Sequence, residues 1–198
     1  MRIVFATKNE GKVREITEMI DRTDIELVSL NHFAALPEIV EDGATYLENA
    51  LKKARIVSEF TGETVLADDS GLQVNVLKGE PGVYSARYAG EGATDEENNA
   101  KLLARLKNIP EDKRTASFFC ALVLYDRDGR YASFEAEWRG RIIDEGRGTN
   151  GFGYDPIFLD PKFNKTAAEL PPDIKNKVSH RGQAFAKLKA CLDAGGLG

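Results

Sequence analysis

The chain begins, from residue 2 to residue 20, with the stretch RIVFATKNEGKVREITEMI. Up to Ala6 it is a short apolar run with β-branched side chains, which predicts a strand. From Val13 to Ile20 the apolar side chains recur at helical spacing, which predicts a helix. A polar loop, Thr7 to Lys12, separates the two. A strand, a short loop and a helix in this order are the opening unit of an α/β fold.

The sequence predicts three further helices. Thr45 and Glu48 form a capping box before an apolar helical face, and Thr94 and Glu97 repeat this signature. A last helix is predicted over residues 182–192, where apolar side chains again recur at helical spacing. We expect these helices to flank a sheet.

The predicted strands are spread over the whole chain. Residues 24–30 and 64–67 read as strands, and the second is predicted to stop at an acidic turn, residues 68–71, before an extended segment resumes. Residues 115–125 are apolar on both faces, as in a central covered strand, and Asp128-Gly129 predicts a hairpin turn. The early strand-loop-helix unit and the later hairpin predict an α/β fold with a central mixed β-sheet flanked by helices.

The composition predicts one domain over residues 1–198, built as two lobes. With 42% hydrophobic residues, a chain of 198 residues can bury one sizeable core. Asp and Glu number 32 against 27 Lys and Arg, so the overall field repels nucleic acid, and a phosphate site needs a local cluster of cations. The sequence holds no signal peptide or membrane span, and Cys120 and Cys191 are typical of buried thiols. We expect a cytoplasmic protein that contacts neither membranes nor nucleic acids.

Two segments are candidates for binding phosphate and metal. Thr7 to Lys12 leads into a helix N-terminus, whose free N–H groups suit an anion, although the same residues suit an ordinary capped turn. It is not a Walker A loop, because Ala6 and Val13 replace the required Gly and Ser or Thr. Acidic side chains within 38–42 and at Asp68-Asp69 offer oxygen ligands for magnesium, and they equally suit turns and helix N-termini.

Two later segments are candidates for contacting a nucleotide. Residues 151–156 combine glycines with aromatic side chains able to stack on a planar base, and such segments are also ordinary loops. Residues 175–181 collect cationic and polar donors at the start of the last predicted helix, where a solvated basic turn is the alternative. Taken together, the four segments predict a site for a nucleoside triphosphate.

The chain resembles the RdgB/HAM1 family of inosine triphosphate pyrophosphatases. The matching segments follow the family's order and span nearly the whole chain: Ala6–Lys12, Ala67–Leu72, Pro81–Arg87, Gly151–Pro156 and Ser179–Arg181. Several separated motifs in register are far more specific than any one of them. The chain departs from the family at Asn150, where many members have Gly, and this change removes no proposed chemical group.

The resemblance implies one magnesium-dependent nucleotide-pyrophosphatase domain, with its active site in a cleft between two lobes. The implied reaction is hydrolysis of ITP, dITP and XTP to the nucleoside monophosphate and pyrophosphate, which removes these nucleotides before their incorporation into DNA or RNA. A homodimer is also implied. Two alternatives stay open: a pyrophosphatase for another modified nucleotide, such as a modified pyrimidine, and a nucleotide- or RNA-binding module without catalysis.

The resemblance also implies roles for individual residues. Asp69 is the implied general base, Glu41 and Asp69 are the implied magnesium ligands, and Asp68 supports the site as a candidate further ligand. His180 and Arg181 match the pair that reads the base, because such donors fit a 6-keto purine and are left unpaired by the 6-amino group of adenine. The implied substrate contacts are Thr7, Lys8, Asn9, Glu10, Gly11, Lys12, Ser70, Phe152, Gly153, Tyr154, Asp155, Lys175, His180 and Arg181.

Overall fold

The computed structural model describes residues 1–20 and 24–197, and at positions 10, 11, 15 and 18 it describes the backbone path without the side-chain surroundings. None of the helices in these described ranges combines the length and the apolar character that crossing a membrane requires.

Within the described residues, the strands form a seven-stranded mixed sheet in the order β2-β1-β3-β4-β5-β6-β7. Strand β1 pairs in parallel with β2 and β3, whereas β6 pairs antiparallel with β5 and β7. The apolar run predicted as the central strand is β4, the fourth strand of seven. The strands are β1 (Arg2–Phe5), β2 (Glu26–Ser29), β3 (Thr64–Val74), β4 (Thr115–Tyr125), β5 (Tyr131–Ile142), β6 (Phe158–Asp160) and β7 (Lys165–Thr166).

Two of the predicted helices begin at their predicted caps. The Thr94 hydroxyl accepts the N–H of Glu97, whose carboxylate accepts the N–H of Thr94, so the capping box is complete. The Thr45 hydroxyl accepts the N–H of Glu48, but the Glu48 carboxylate accepts the N–H of Ala44 at 2.7 Å instead of closing the box. The described helices are α1 (Glu10–Ile20), α2 (Tyr46–Thr61), α3 (Asp95–Leu106), α4 (Pro172–Val178) and α5 (His180–Asp193), with 3₁₀ turns at Leu30–His32, Asn75–Leu77, Gly82–Arg87 and Glu111–Lys113.

The acidic turn predicted at residues 68–71 is wrong. Strand β3 runs without interruption from Thr64 to Val74 and includes Asp68-Asp69-Ser70-Gly71. These residue types favour turns when only local conformation is considered. Here the two carboxylates are buried, at 1% and 9% exposure, and accept hydrogen bonds from Lys12 and Asn49, which belong to other elements.

The chain forms two compact units. The first comprises Met1–Asp69, Cys120–Ala136 and Arg181–Gly198, and the second comprises Ser70–Phe119 and Glu137–His180. The core of the first includes Ile3, Phe5, Ile16, Leu66, Leu122 and Leu188. The core of the second includes Leu72, Leu102, Leu106, Trp138, Ile142 and Phe158. That all residues act as one domain, with the active site in a cleft, stays a prediction.

Candidate active site

Asp68 lies in the first unit, surrounded by cations. Lys12 Nζ donates to both carboxylate oxygens, at 2.8 and 3.0 Å, and Arg181 Nε lies 3.7 Å from Oδ2. Lys53 Nζ donates to the backbone carbonyl of Asp68 at 3.0 Å. Burial opposes ionisation, but the charges of Lys12, Arg181 and Lys53 outweigh it and hold the pKa of Asp68 well below its ordinary range. Asp68 is therefore ionised near neutral pH, and its negative charge attracts these cations.

Asp69, the next residue of β3, has different surroundings. Its Oδ2 accepts a hydrogen bond from Asn49 Nδ2 at 3.0 Å. Burial raises the pKa of Asp69 to about 6, and the negative charges of Glu41 and Asp68 add to this effect. The charge of Lys53 and the hydrogen bond from Asn49 act in the opposite direction. A carboxylate with a pKa in this range is ionised at neutral pH and still accepts a proton, which is what a general base requires.

Helix α2 contributes two polar side chains to this region from its buried face. Asn49 and Lys53 are four residues apart, at 1% and 8% exposure. Lys53 Nζ lies 2.7 Å from Glu41 Oε1, and although burial disfavours the ammonium form, the charges of Asp68 and Glu41 outweigh it and raise the pKa of Lys53. We call Lys12, Glu41, Lys53, Asp68, Asp69 and Arg181 the charged cluster, which Asn49 contacts at Asp69.

Asn49 and Lys53 were not predicted from the sequence. A usable signal was present, because both interrupt an otherwise apolar stripe of α2 that includes Tyr46, Ala50 and Ala54. Polar side chains at such positions are buried and require partners, which marks them as candidates for a site.

The predicted phosphate loop is a turn whose side chains bond to its own backbone. The Thr7 hydroxyl accepts the N–H of Asn9 at 3.1 Å, and Asn9 Oδ1 accepts the N–H of Lys12 at 3.3 Å, so both side chains shape the start of α1. Lys8 is exposed, and its carbonyl accepts from Asn31 Nδ2 at 3.3 Å. The side-chain surroundings of Glu10 and Gly11 lie outside the described residues. Ser70, in the second unit, is half-buried.

The glycine-rich loop of the second unit is organised around Asp155. Its Oδ2 accepts the N–H of Phe152 at 3.0 Å and the Nζ of Lys175 at 2.6 Å. Lys175 Nζ also lies 5.5 Å from the centroid of the Phe152 ring. Gly151 has φ +80°, and a Cβ there would lie 2.0 Å from Asp155 Oδ2. The structure thus brings together three predicted substrate contacts. Because a Cβ at position 151 would clash with one of them, this position requires glycine.

Gly153 and Tyr154 are fixed by other segments of the second unit. The N–H of Gly153 donates to Asp95 Oδ2 at 2.6 Å, and its carbonyl accepts from Asn99 Nδ2 at 3.0 Å. The Tyr154 hydroxyl donates to the Ser85 carbonyl at 2.8 Å, and burial raises the pKa of Tyr154 above its ordinary value. These partners were not predicted from the sequence, because nothing local links α3 to a loop more than fifty residues later.

The alternative of a solvated basic turn at residues 175–181 is wrong. Lys175, His180 and Arg181 are all buried, at 4% to 8% exposure. The His180 ring stacks on Phe118, with centroids 4.8 Å apart and planes 11° from parallel, and lies 6.5 Å from Trp138. A histidine stacked on aromatic rings in this way is restricted in orientation.

In the described residues, an α/β fold carries two buried carboxylates among several cations. Such a cluster of buried charges with a perturbed carboxylate pKa is a candidate site for binding phosphate groups. The chain belongs to the Ham1 family, whose model matches residues 3–191. This confirms the family resemblance stated from the sequence.

Individual relatives match over the full length. The chain is 52% identical over 196 residues to a dITP/XTP pyrophosphatase of Geobacter sulfurreducens, covering 99% of this chain and 98% of that protein. It is 48% identical over 193 residues to a dITP/XTP pyrophosphatase of Desulforamulus reducens, covering 98% and 96%. A HAM1 protein structure from Coxiella burnetii matches with a TM-score of 0.90 and 42% identity, covering 98% of this chain and 99% of that one. The predicted α/β fold is confirmed.

Proposed function

We propose that this protein hydrolyses ITP, dITP and XTP to the nucleoside monophosphate and pyrophosphate, and so removes them before their incorporation into DNA or RNA. One observation carries the proposal: the chain matches relatives named dITP/XTP pyrophosphatase over nearly its full length, at 52% and 48% identity. The charged cluster supports it independently, because it supplies both a basic carboxylate and cations for a triphosphate.

Asp69 is proposed as the general base. A water oxygen attacks the α-phosphorus, the bond from the α-phosphorus to the bridging oxygen breaks, and pyrophosphate leaves with that oxygen. Asp69 takes the proton that the water loses, for which a pKa of about 6 is suitable. Asp68 is a poor base by comparison, because the neighbouring cations hold its pKa well below the ordinary range.

Cationic side chains are proposed to bind the triphosphate and stabilise the charge that develops on it. Lys12 pairs with Asp68, and Lys53 pairs with Glu41, so both are already oriented before substrate binds. Such preorganised charges lower the barrier because they need little rearrangement during the reaction. The Thr7 to Lys12 turn is proposed to add backbone N–H groups at the start of α1.

Magnesium is proposed to bind at Glu41 and Asp69, with Asp68 nearby. Among the described residues, no group of three or more His, Cys, Asp or Glu side chains is arranged to hold a metal ion. Mg²⁺ commonly uses one or two carboxylates together with substrate phosphates, so a site of this kind needs fewer protein ligands. The carboxylates fit a hard cation, because a bound positive ion would offset the negative charges of Glu41 and Asp68 that raise the pKa of Asp69. When bound, magnesium would neutralise negative charge on the phosphate oxygens.

The purine is proposed to be recognised by His180 and Arg181, together with the loop Phe152–Asp155, and Lys175 is proposed to lie near a phosphate. Donors directed at a 6-keto oxygen stay paired with hypoxanthine or xanthine and lose their partner with adenine. A buried donor left unpaired in this way gives discrimination of about 10⁴-fold. The buried histidine stack and the Asp155–Lys175 pair support a rigid recognition surface of this type.

We further propose a cytoplasmic homodimer. This rests on the family resemblance, and its test is the molecular mass in solution by light scattering. A mass of 43–44 kDa, about twice that of the 21.8 kDa chain, supports the dimer, and a mass near that of one chain contradicts it.

The decisive experiment is a product-resolved substrate screen with magnesium. ITP, dITP, XTP, GTP, ATP and modified pyrimidine triphosphates are compared, and pyrophosphate is measured separately from orthophosphate. We expect pyrophosphate from ITP, dITP and XTP. Release of orthophosphate, equal turnover of ATP, preference for a pyrimidine, or binding without turnover would each contradict the proposal.

A further inference from the structure

Asn49 is an unusual residue for its position on α2. It is 1% exposed, on the helix face that packs inward. Asparagine is a weak helix former, and burying its amide is costly unless both ends of the amide form hydrogen bonds. A buried asparagine here therefore requires specific partners.

Both ends of the Asn49 amide have such partners, in two different segments of the first unit. Its Oδ1 accepts the backbone N–H of Gly43 at 2.7 Å, and its Nδ2 donates to Asp69 Oδ2 at 3.0 Å. The orientation of the amide is fixed by chemistry, because a backbone N–H can only donate and an ionised carboxylate can only accept. Asn49 thus connects the segment that carries Glu41 to the carboxylate of Asp69.

Gly43 is adapted to this contact. A Cβ at position 43 would lie 2.7 Å from Asn49 Oδ1 and 2.9 Å from the Cβ of Glu48, both closer than side chains normally approach. A side chain at position 43 therefore displaces the Asn49 amide. This provides a second way to disturb the contact between Asn49 and Asp69 without replacing either residue.

We propose that Asn49 is a positioning residue for catalysis: held by the N–H of Gly43, it fixes one oxygen of Asp69 and so sets the direction in which the carboxylate accepts a proton. The inference rests on the proposed function, in which Asp69 is the base. It assigns Asn49 no contact with substrate. Its effect is therefore expected in turnover and not in substrate affinity, because a misplacement of about 1 Å at a reacting group can cost 10²-fold in rate.

The test compares steady-state kinetics of ITP hydrolysis at pH 8 with thermal unfolding of the same variants. Asn49→Leu removes both hydrogen bonds, and Asn49→Asp keeps the acceptor for Gly43 but cannot donate to Asp69. For both variants we expect kcat to fall by about 10- to 100-fold, with KM changed by less than about threefold. Gly43→Ala is expected to lower kcat in the same direction, and it decides the question if either Asn49 variant does not fold.

The matched control is Ser58→Ala. Ser58 lies on the same helix, is buried, and donates to the Glu63 carbonyl at 2.8 Å. This variant is expected to lower Tm and to leave kcat unchanged, as loss of a merely structural hydrogen bond does. The inference is overturned if folded Asn49→Leu, Asn49→Asp or Gly43→Ala keeps the wild-type kcat. It is also overturned if the variants change KM and leave kcat at the wild-type value. Absence of pyrophosphate release by the wild-type protein contradicts the proposed function instead.

Discussion

The replacement Asp69→Asn is expected to stabilise the metal-free protein at pH 8. Asp69 is 9% exposed, and its pKa is about 6 against an ordinary value of 3.8. The folded state binds a proton at Asp69 more tightly than the unfolded state does. The stabilisation that protonated Asp69 contributes is therefore fully present below pH 3.8 and is lost as the pH rises through 6. Ionised Asp69 therefore costs about 3 kcal/mol at pH 8. Asparagine removes this cost and keeps an oxygen that accepts from Asn49.

The neighbouring replacement, Asp68→Asn, is the matched control and is expected to act in the opposite direction. The pKa of Asp68 is lowered, so its contribution to stability is present above the ordinary pKa of 3.8 and is lost as the pH falls through the lower folded-state value. The amide leaves Lys12 and Arg181 without the anion that pairs with them. Removing one partner of such a buried pair typically costs about 3–5 kcal/mol.

The assay is urea unfolding in EDTA, followed by the fluorescence of Trp138, which is the single tryptophan of the chain and is buried. We expect the free energy of unfolding of Asp69→Asn to exceed that of the wild type by about 3 kcal/mol at pH 8 and by about 1 kcal/mol at pH 4.5. Asp68→Asn is expected to be less stable than the wild type at pH 8. If Asp69→Asn unfolds at the same or a lower urea concentration than the wild type at pH 8, burial and like charge do not raise the pKa of Asp69, and the reasoning is wrong.

Three further predictions concern activity. Asp69→Asn should keep its affinity for ITP and lose turnover by about 100-fold or more, and near wild-type turnover removes Asp69 from the mechanism. Removing divalent cations with EDTA should abolish pyrophosphate release, and added MgCl₂ should restore it, whereas persistent activity in EDTA contradicts the metal proposal. Gly151→Ala places a Cβ 2.0 Å from Asp155 Oδ2, so we expect a lower Tm and a KM for ITP raised by about tenfold; an unchanged KM separates this loop from substrate binding.

Features with a local cause were predicted well from the sequence. The caps at Thr45 and Thr94 bond to N–H groups three residues away, so the signal and its partner lie within one turn of helix. The central position of β4 followed from an apolar run that needs cover on both faces. Helix α4 was missed: it spans seven residues, and a segment of two turns has too few positions for an apolar period to be recognised.

Features that depend on distant partners were predicted poorly. The five motifs identified Lys12, Asp68 and Arg181, but nothing local indicates that Lys12 and Arg181 pair with the same carboxylate, since they come from opposite ends of the chain. Similarly, no local pattern connects Asp95 with the backbone of Gly153. Such contacts depend on tertiary packing, which no window of neighbouring residues contains.

The error at residues 68–71 is the most instructive, because the correct local structure explains the proposed chemistry. In a solvated turn, Asp68 and Asp69 would share similar surroundings and no physical argument would prefer one as the base. In a strand, successive side chains point to opposite faces, so the two carboxylates meet different partners. Asp68 meets Lys12 and Arg181 and stays ionised, whereas Asp69 accepts from Asn49 and has a pKa of about 6. The choice of Asp69 as the proposed base thus gains a physical reason that does not depend on family resemblance.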